Sequence, residues 1–182
     1  MIRIAAILVL FFLQCRADMP TVMKGLDQNK ILGQWTGVAA ASNCKPFVQM
    51  RKTQVKAEHM PPPVNDYSFQ NGKMKSTAAF QTAKDCQQMD TEMTIVEPGH
   101  YKSKTPYGEN EIVIAGTDYT SFLFEYTQTK NGLDICVTVK LLGRTEKLSE
   151  EKIKQFKDNL KSLGLTEENY IKFHDKATCF PK

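Results

Sequence analysis

The chain has 182 residues, of which 41% are hydrophobic and 24% are charged. This balance is typical of one globular domain with a buried core, and it excludes a disordered chain and a fibrous repeat. Lysine and arginine number 24 against 20 acidic residues, and the net charge of +4 is spread along the chain. Nucleic-acid-binding domains usually gather basic residues on one face, so we expect no nucleic-acid partner.

The first 17 residues have the pattern of a secretory signal peptide. Arg3 precedes an apolar run over residues 4–13, and the small residues Cys15 and Ala17 follow it. The run is about half the roughly twenty residues that a membrane-spanning helix needs, so we expect no such helix. Cleavage after Ala17 would release a secreted, extracellular domain of residues 18–182.

Four cysteines remain after that cleavage: Cys44, Cys86, Cys136 and Cys179. An even number in an oxidising compartment predicts disulfides, with three full pairings open. The cysteines form no C-x-x-C pair and the three histidines are scattered singly, so we expect no zinc site and no cofactor.

Turn signals such as Asn71-Gly72 and Asn131-Gly132 separate short β-prone segments, a pattern that predicts an all-β sandwich or barrel. The candidate strands are residues 35–41, a segment within 47–57, 74–82, 87–96, 100–103, 111–115, 120–127 and 133–142. Prolines 61–63 lack backbone donors, so we expect them to join the second and third strands.

The hydrophobic period changes near the C-terminus. Ile153, Phe156, Leu160 and Leu163 recur at helical spacing after the N-cap candidate Ser149. A ninth strand is predicted at residues 170–173. Eight strands, one helix and a last strand favour a closed up-and-down barrel, whose interior is wide enough for one small ligand.

Three short motifs occur in a fixed order: Gly33-Gln34-Trp35, Thr117-Asp118-Tyr119 and Gly143-Arg144. Together they resemble the lipocalin family over nearly all of residues 18–182. The resemblance implies an eight-stranded antiparallel β-barrel with one C-terminal α-helix packed outside and a short ninth strand. Residues 141–145 and 164–179 are similar to the branch of lipocalin-type prostaglandin D synthase and α1-microglobulin.

The motifs also have a structural interpretation. In a closed barrel the first and eighth strands pair antiparallel, so Trp35 should meet Arg144. A guanidinium over the indole face contributes roughly 0.5 to 2 kcal/mol and would plug the narrow end. The resemblance implies that the surface around Asp118, at the same end, is one that relatives often use for receptor contact.

Two disulfides are expected. The resemblance implies a Cys86–Cys179 bond. Paired residue numbers on antiparallel strands have a constant sum, and Cys44 with Cys136 nearly matches the sum of Trp35 with Arg144, so we predict a second bond between them. Its alternative, a free redox-active Cys44, is implied by a resemblance to α1-microglobulin.

Enzyme activity is not expected. The resemblance implies that prostaglandin D synthase activity needs a cavity-facing cysteine on the second strand, and no cysteine occurs over residues 46–85. The sequence also contains no G-x-S-x-G, no H-E-x-x-H and no glycine-rich phosphate loop.

Candidate ligand-binding residues follow from the alternation of the strands. If Arg144 faces inward, so do Leu142, Lys140 and Thr138, and the resemblance implies the same for Leu123 and Glu125. Further lining candidates are Met74, Phe80 and Met93. Glu125 and Lys140 would lie on adjacent strands, either as a mutually satisfied ion pair or as a polar handle for a ligand.

The sequence therefore predicts a secreted carrier of a small hydrophobic molecule such as an odorant, retinoid or fatty acid. The alternative is an enzyme, a prostaglandin isomerase or a Cys44-dependent reductase. A third possibility is a signalling or defence protein whose barrel is incidental or binds a siderophore.

Overall fold

A computed structural model of the chain describes residues 19–54, 61–82, 84–145, 147–173 and 176–182, so the predicted signal peptide lies outside the described residues. The strands are β1 (Gly33–Ser42), β2 (Val64–Gln70), β3 (Lys73–Gln81), β4 (Cys86–Glu97), β5 (His100–Thr105), β6 (Gly108–Thr117), β7 (Phe122–Asn131), β8 (Asp134–Gly143) and β9 (Tyr170–Lys172). The α-helices are α1 (Lys45–Gln54) and α2 (Glu150–Ser162), and a 3-10 turn covers Glu167–Asn169.

The first eight strands form a closed antiparallel barrel, as predicted. Each of these strands pairs with the next along the chain, and β1 closes the circle by pairing with both β8 and β2. Strand β1 pairs with β2 only through its first residues, and Ala39, Ala40 and Ala41 pair with β9 instead. Strand β9 therefore covers the part of the β1 edge that β2 leaves open.

Helix α2 lies against the outside of the barrel. Its buried residues Ile153, Phe156 and Leu160 pack on outward-facing side chains of β7 and β8, including Phe124 and Leu141. The predicted N-cap is present, since the Ser149 hydroxyl accepts from the Lys152 N–H. The helix is followed by Gly164, which adopts a φ of +69°. The prediction of this helix is confirmed.

Within the described part of the chain, no helix is both long enough and apolar enough to cross a lipid bilayer.

The predicted second strand within residues 47–57 is wrong. This stretch begins as helix α1, where Pro46 occupies the first turn, a position at which the missing N–H costs little. Residues 55–60 lie outside the described part. The second strand is Val64–Gln70, so prolines 61–63 precede it rather than follow it, and the Pro63 carbonyl accepts a hydrogen bond from the Gly37 N–H at 2.8 Å.

Two disulfides link distant parts of the chain, Cys44 with Cys136 and Cys86 with Cys179. The first follows from the β1–β8 register, in which Ser42 opposes Thr138 two residues before Cys44. Because Cys44 is bonded in this structure, the alternative of a free thiol at this position does not hold.

Candidate functional site

One end of the barrel is closed by the Trp35–Arg144 pair, as the motifs predicted. The Arg144 guanidinium lies 3.7 Å from the centroid of the Trp35 ring, and its N–H groups donate to the carbonyls of Gln34 and Lys30, each at 3.0 Å. The Trp35 indole N–H donates to the Ile31 carbonyl at 2.7 Å. The pair thus combines a cation–π contact with satisfied polar groups.

The interior above this pair is filled by apolar and aromatic side chains, which we call the floor cluster. Its buried members are Leu26, Ile31, Trp35, Tyr67, Met74, Met93, Tyr101, Ile112, Ile114, Leu123 and Leu142. Four residues predicted from the sequence as cavity lining belong to this packed region: Met74, Met93, Leu123 and Leu142. They form a solid base for the cavity above them.

The motif Thr117-Asp118-Tyr119 lies at the same closed end, where the Tyr119 carbonyl accepts from Arg144 Nε at 3.4 Å. The Asp118 carboxylate accepts from the backbone N–H groups of Ser121 and Phe122 and from the Ser121 hydroxyl. Burial opposes the charge of this carboxylate, but hydrogen bonds led by those from Ser121 outweigh it and lower the pKa of Asp118 to about 2.

A cavity of about 220 Å³ lies inside the barrel, beyond the floor cluster. Its lining comes from β3 to β8 together with the turn between β5 and β6: Ser76, Met89, Thr91, Met93, Ser103, Thr105, Tyr107, Asn110, Ile112, Glu125, Thr127, Thr129, Thr138 and Lys140. The volume is below the 300–1,000 Å³ typical of drug-sized ligands. A cavity of this volume fits a small molecule.

Polar side chains in the upper wall bond to one another. The Thr129 hydroxyl donates to Asn110 Oδ1 at 2.8 Å, and Asn110 Nδ2 donates to the Ser103 hydroxyl at 3.1 Å. The hydroxyls of Thr138 and Ser42 lie 2.8 Å apart. These groups already have hydrogen-bond partners within the wall, so they need few hydrogen bonds from a bound molecule.

An ion pair lies at the base of the cavity. Lys140 Nζ is 2.7 Å from Glu125 Oε1, and the Tyr67 hydroxyl donates to Glu125 Oε2. The Glu125 side chain is only 5% exposed, whereas that of Lys140 is 35% exposed. Lys140 therefore faces the cavity, and Glu125 lies behind it.

Two phenols close to this carboxylate stay protonated. Burial, followed by the charge of Glu125, raises the pKa of Tyr67 well above its usual value. Burial also raises the pKa of Tyr101 to about 12. Tyr67 is thus a hydrogen-bond donor to Glu125 across the physiological pH range.

Of the eight ligand-binding residues predicted from the sequence, Met93, Glu125, Thr138 and Lys140 lie in the cavity lining. Phe80 lies near the end of β3, is 37% exposed and is outside the lining. Thr127 and Thr129 were missed, although strand alternation from Glu125, which the family resemblance placed inside, extends to them. Tyr67 was missed because the second strand was put elsewhere.

No group of three or more histidine, cysteine or acidic side chains among the described residues is arranged to hold a metal ion.

Comparison with known proteins gives the same family at the level of sequence and of fold. The model of the lipocalin / cytosolic fatty-acid binding protein family matches residues 32–177. The olfactory protein of Lithobates pipiens is 59% identical over 182 residues, which is 100% of both chains. A solved siderocalin, Ex-FABP, superimposes with a TM-score of 0.68 at 19% identity, covering 84% of this chain and 95% of that one.

The relationship to prostaglandin D synthases is more distant. The prostaglandin-H2 D-isomerase of Ovis aries is 26% identical over 152 residues, covering 80% of this chain and 75% of that protein. The family model spans most of the chain. The closed barrel, the outer helix and the Trp35–Arg144 pair agree with it. The chain therefore belongs to the lipocalin family.

Proposed function

We propose that this lipocalin is a secreted carrier that binds a small hydrophobic molecule of odorant size in its barrel and releases it chemically unchanged. The observation that carries the proposal is the cavity of about 220 Å³, closed below by the floor cluster. The family membership and the similarity to an olfactory protein support the same conclusion.

The chemistry of the cavity wall favours a carrier over an isomerase or a reductase. Thiol catalysis needs a free, activated cysteine within reach of the ligand. None of the lining residues is a cysteine. Cys44, whose sulfur lies 3.6 Å from the Thr138 hydroxyl at the rim, is held in a disulfide.

Secretion is part of the proposal. The signal-peptide pattern of residues 1–17 and the two disulfides support an extracellular, oxidising location. The surface around Asp118 at the closed end is proposed as a contact for a cell-surface receptor. It is remote from the ligand because the floor cluster lies between them.

Binding can be tested on protein secreted by cells that express the full chain. Calorimetric titration with eight-carbon compounds such as 2-octanone and octane should show saturable binding of one molecule per chain. Incubation with prostaglandin H2 should give no turnover above the uncatalysed rate. Failure of every compound to bind would contradict a carrier, and so would isomerase turnover.

A pair of neighbouring substitutions can assign the binding to the cavity. Thr127 lines the cavity, whereas Gln128 lies beside it on the outer face of β7. Thr127→Phe should fill the space and abolish binding, and Gln128→Phe should leave the affinity unchanged. Equal effects of the two variants would place the bound molecule outside the barrel.

A further inference from the structure

The cavity has one charged group with unused hydrogen-bond donors. The Lys140 ammonium carries three N–H donors. One of them is directed to Glu125 at 2.7 Å, and the ammonium has no other ion-pair or hydrogen-bond partner among the described residues. Lys140 is also in the cavity lining, so its remaining donors are available to a molecule that enters.

Glu125 is already occupied on both carboxylate oxygens. Oε1 accepts from Lys140 and Oε2 accepts from Tyr67, and the side chain is almost completely buried. A ligand that enters the cavity therefore contacts the Lys140 ammonium, and the Glu125 carboxylate lies directly behind that group. The charge of the pair is balanced, since a buried carboxylate without its cation would be strongly unfavourable.

This arrangement discriminates among ligand head groups. A carboxylate that approaches Lys140 competes with Glu125 and comes close to a second buried negative charge, which disfavours it. An ammonium head group meets the positive charge of Lys140. A neutral oxygen acceptor, such as a carbonyl or hydroxyl, can accept from Lys140 without separating the ion pair.

The rest of the wall sets the size and polarity of the molecule. Met89, Met93, Ile112 and Tyr107 supply apolar surface, and the hydroxyl groups above them are largely bonded within the wall. A volume of about 220 Å³ holds roughly ten non-hydrogen atoms at the packing density of protein interiors.

We infer that Lys140, balanced by Glu125, selects small neutral oxygenated molecules (ketones, aldehydes or alcohols) over carboxylates and amines of the same chain length. The inference rests on the proposed carrier function and narrows its ligand class. Lys140 contacts the ligand oxygen, Glu125 holds Lys140 in place and cancels its charge, and Tyr67 holds Glu125.

The first test is a titration of the wild-type protein at pH 7 with four compounds of equal length: 2-octanone, octane, octanoate and octylamine. A hydrogen bond to a charged donor makes the affinity for 2-octanone about tenfold higher than that for octane. Octanoate and octylamine should bind more weakly than 2-octanone. A wild-type protein that binds octanoate best would overturn the inference.

The second test changes the charge balance. Glu125→Gln leaves Lys140 without an acidic partner, so octanoate should gain about tenfold in affinity while octane changes little. Lys140→Met should remove the preference for 2-octanone over octane. The control variant is Lys102→Met, which replaces an exposed lysine on the outer face of β5. It makes the same change in net charge as Lys140→Met and should alter neither preference.

Either single substitution leaves one charge of the pair unbalanced, and Lys140→Met leaves the buried Glu125 carboxylate without its cation, which destabilises the fold. The double variant with Glu125→Gln and Lys140→Met replaces the whole ion pair by uncharged side chains of similar size. It should fold, bind octane as the wild type does, and show neither a preference for 2-octanone nor a gain for octanoate. Far-UV and near-UV circular dichroism check the fold.

The outcomes separate the two levels of the proposal. If no compound binds, including octane, the carrier function itself fails. If the compounds bind but Lys140→Met and the double variant keep the preference for 2-octanone, the carrier function stands and the role of Lys140 is wrong.

Discussion

The two halves of the barrel interior differ although the same strands build both. At the closed end the inward side chains are apolar and fully packed, and Trp35, Leu123 and Leu142 are almost inaccessible to solvent. Toward the open end the same alternation presents Thr91, Thr127 and other polar residues around an empty volume. One strand therefore passes from a protein core to a binding wall within a few residues.

The two ends of the barrel therefore have different roles, stabilisation at the closed end and ligand binding at the open end. Close packing at the closed end supplies hydrophobic stabilisation and fixes the strand register. The open half gives up part of that stabilisation, since a cavity leaves its lining atoms without contacts. Substitutions at the closed end should therefore affect stability, and substitutions at the open end should affect ligand binding.

The largest effect is expected for Trp35→Ala at the closed end. Removing this buried ring should lower the free energy of unfolding by about 3 to 5 kcal/mol, because it leaves a cavity and uncovers Arg144. Urea denaturation followed by circular dichroism measures it, since Trp35 is the one tryptophan of the chain. Thr91→Val in the open half should change the same quantity by less than about 1 kcal/mol. Similar losses at both positions would contradict the division.

The two disulfides should have nearly equal effects on stability and different effects on binding. Their sequence separations are 92 and 93 residues, so each restricts the unfolded chain to the same extent. Replacing either pair by serines should cost about 2 to 4 kcal/mol. The Cys44–Cys136 bond lies beside Thr138 in the cavity wall. We therefore expect weaker ligand binding when this bond is removed, and unchanged binding when the Cys86–Cys179 bond is removed. An equal loss of ligand affinity in the Cys86–Cys179 variant would contradict this prediction.

A smaller effect is expected for Gly37→Ala, where β1 turns away from β2. A methyl group at Gly37 would lie 2.9 Å from Pro63 Cδ and 3.3 Å from the Phe173 ring. The resulting overpacking should destabilise the protein by about 1 to 3 kcal/mol. In the matched control Gly116→Ala, the added methyl meets Phe124 at an ordinary 3.4 Å, so thermal denaturation should show a much smaller change.

The smallest effect concerns the pH dependence of the closed end. The pKa of Asp118 falls from 3.8 to about 2 on folding, so its stabilisation is complete above about pH 4 and is lost as the pH falls through 2. Since Asp118 is exposed, solvent screening reduces this contribution to about 1 kcal/mol. Asp118→Asn should remove that part of the pH dependence, measured by urea denaturation from pH 2 to 6. An unchanged acid profile would show that other carboxylates determine it.

The sequence was most informative where a pattern repeats. The period of two on β8 predicted that Lys140 and Leu142 share one face, which leaves Leu141 on the other. The period of helix α2 predicted the side chains that pack on Leu141. The constant register of β1 and β8 led to the Cys44–Cys136 bond. The structure contains it, with a one-residue shift in the register between Gly37 and Ala39.

The second strand could not be placed in the same way. Its short segment Val64–Gln70 alternates weakly, and the prolines before it look the same as prolines after a strand. Tyr67 was lost with it, and with Tyr67 the reason why Glu125 can be buried. The volume of the cavity depends on how all these strands curve together, which no local pattern encodes.

The pairing of β1 with the distant strands β8 and β9 also affects how the chain folds during synthesis. Strand β1 is synthesised well before its partners β8 and β9, which lie far along the chain from it. The β1 edges that pair with β8 and β9 therefore stay unpaired until those strands have been synthesised. Such late, long-range pairing makes folding slower than in a fold built from local contacts.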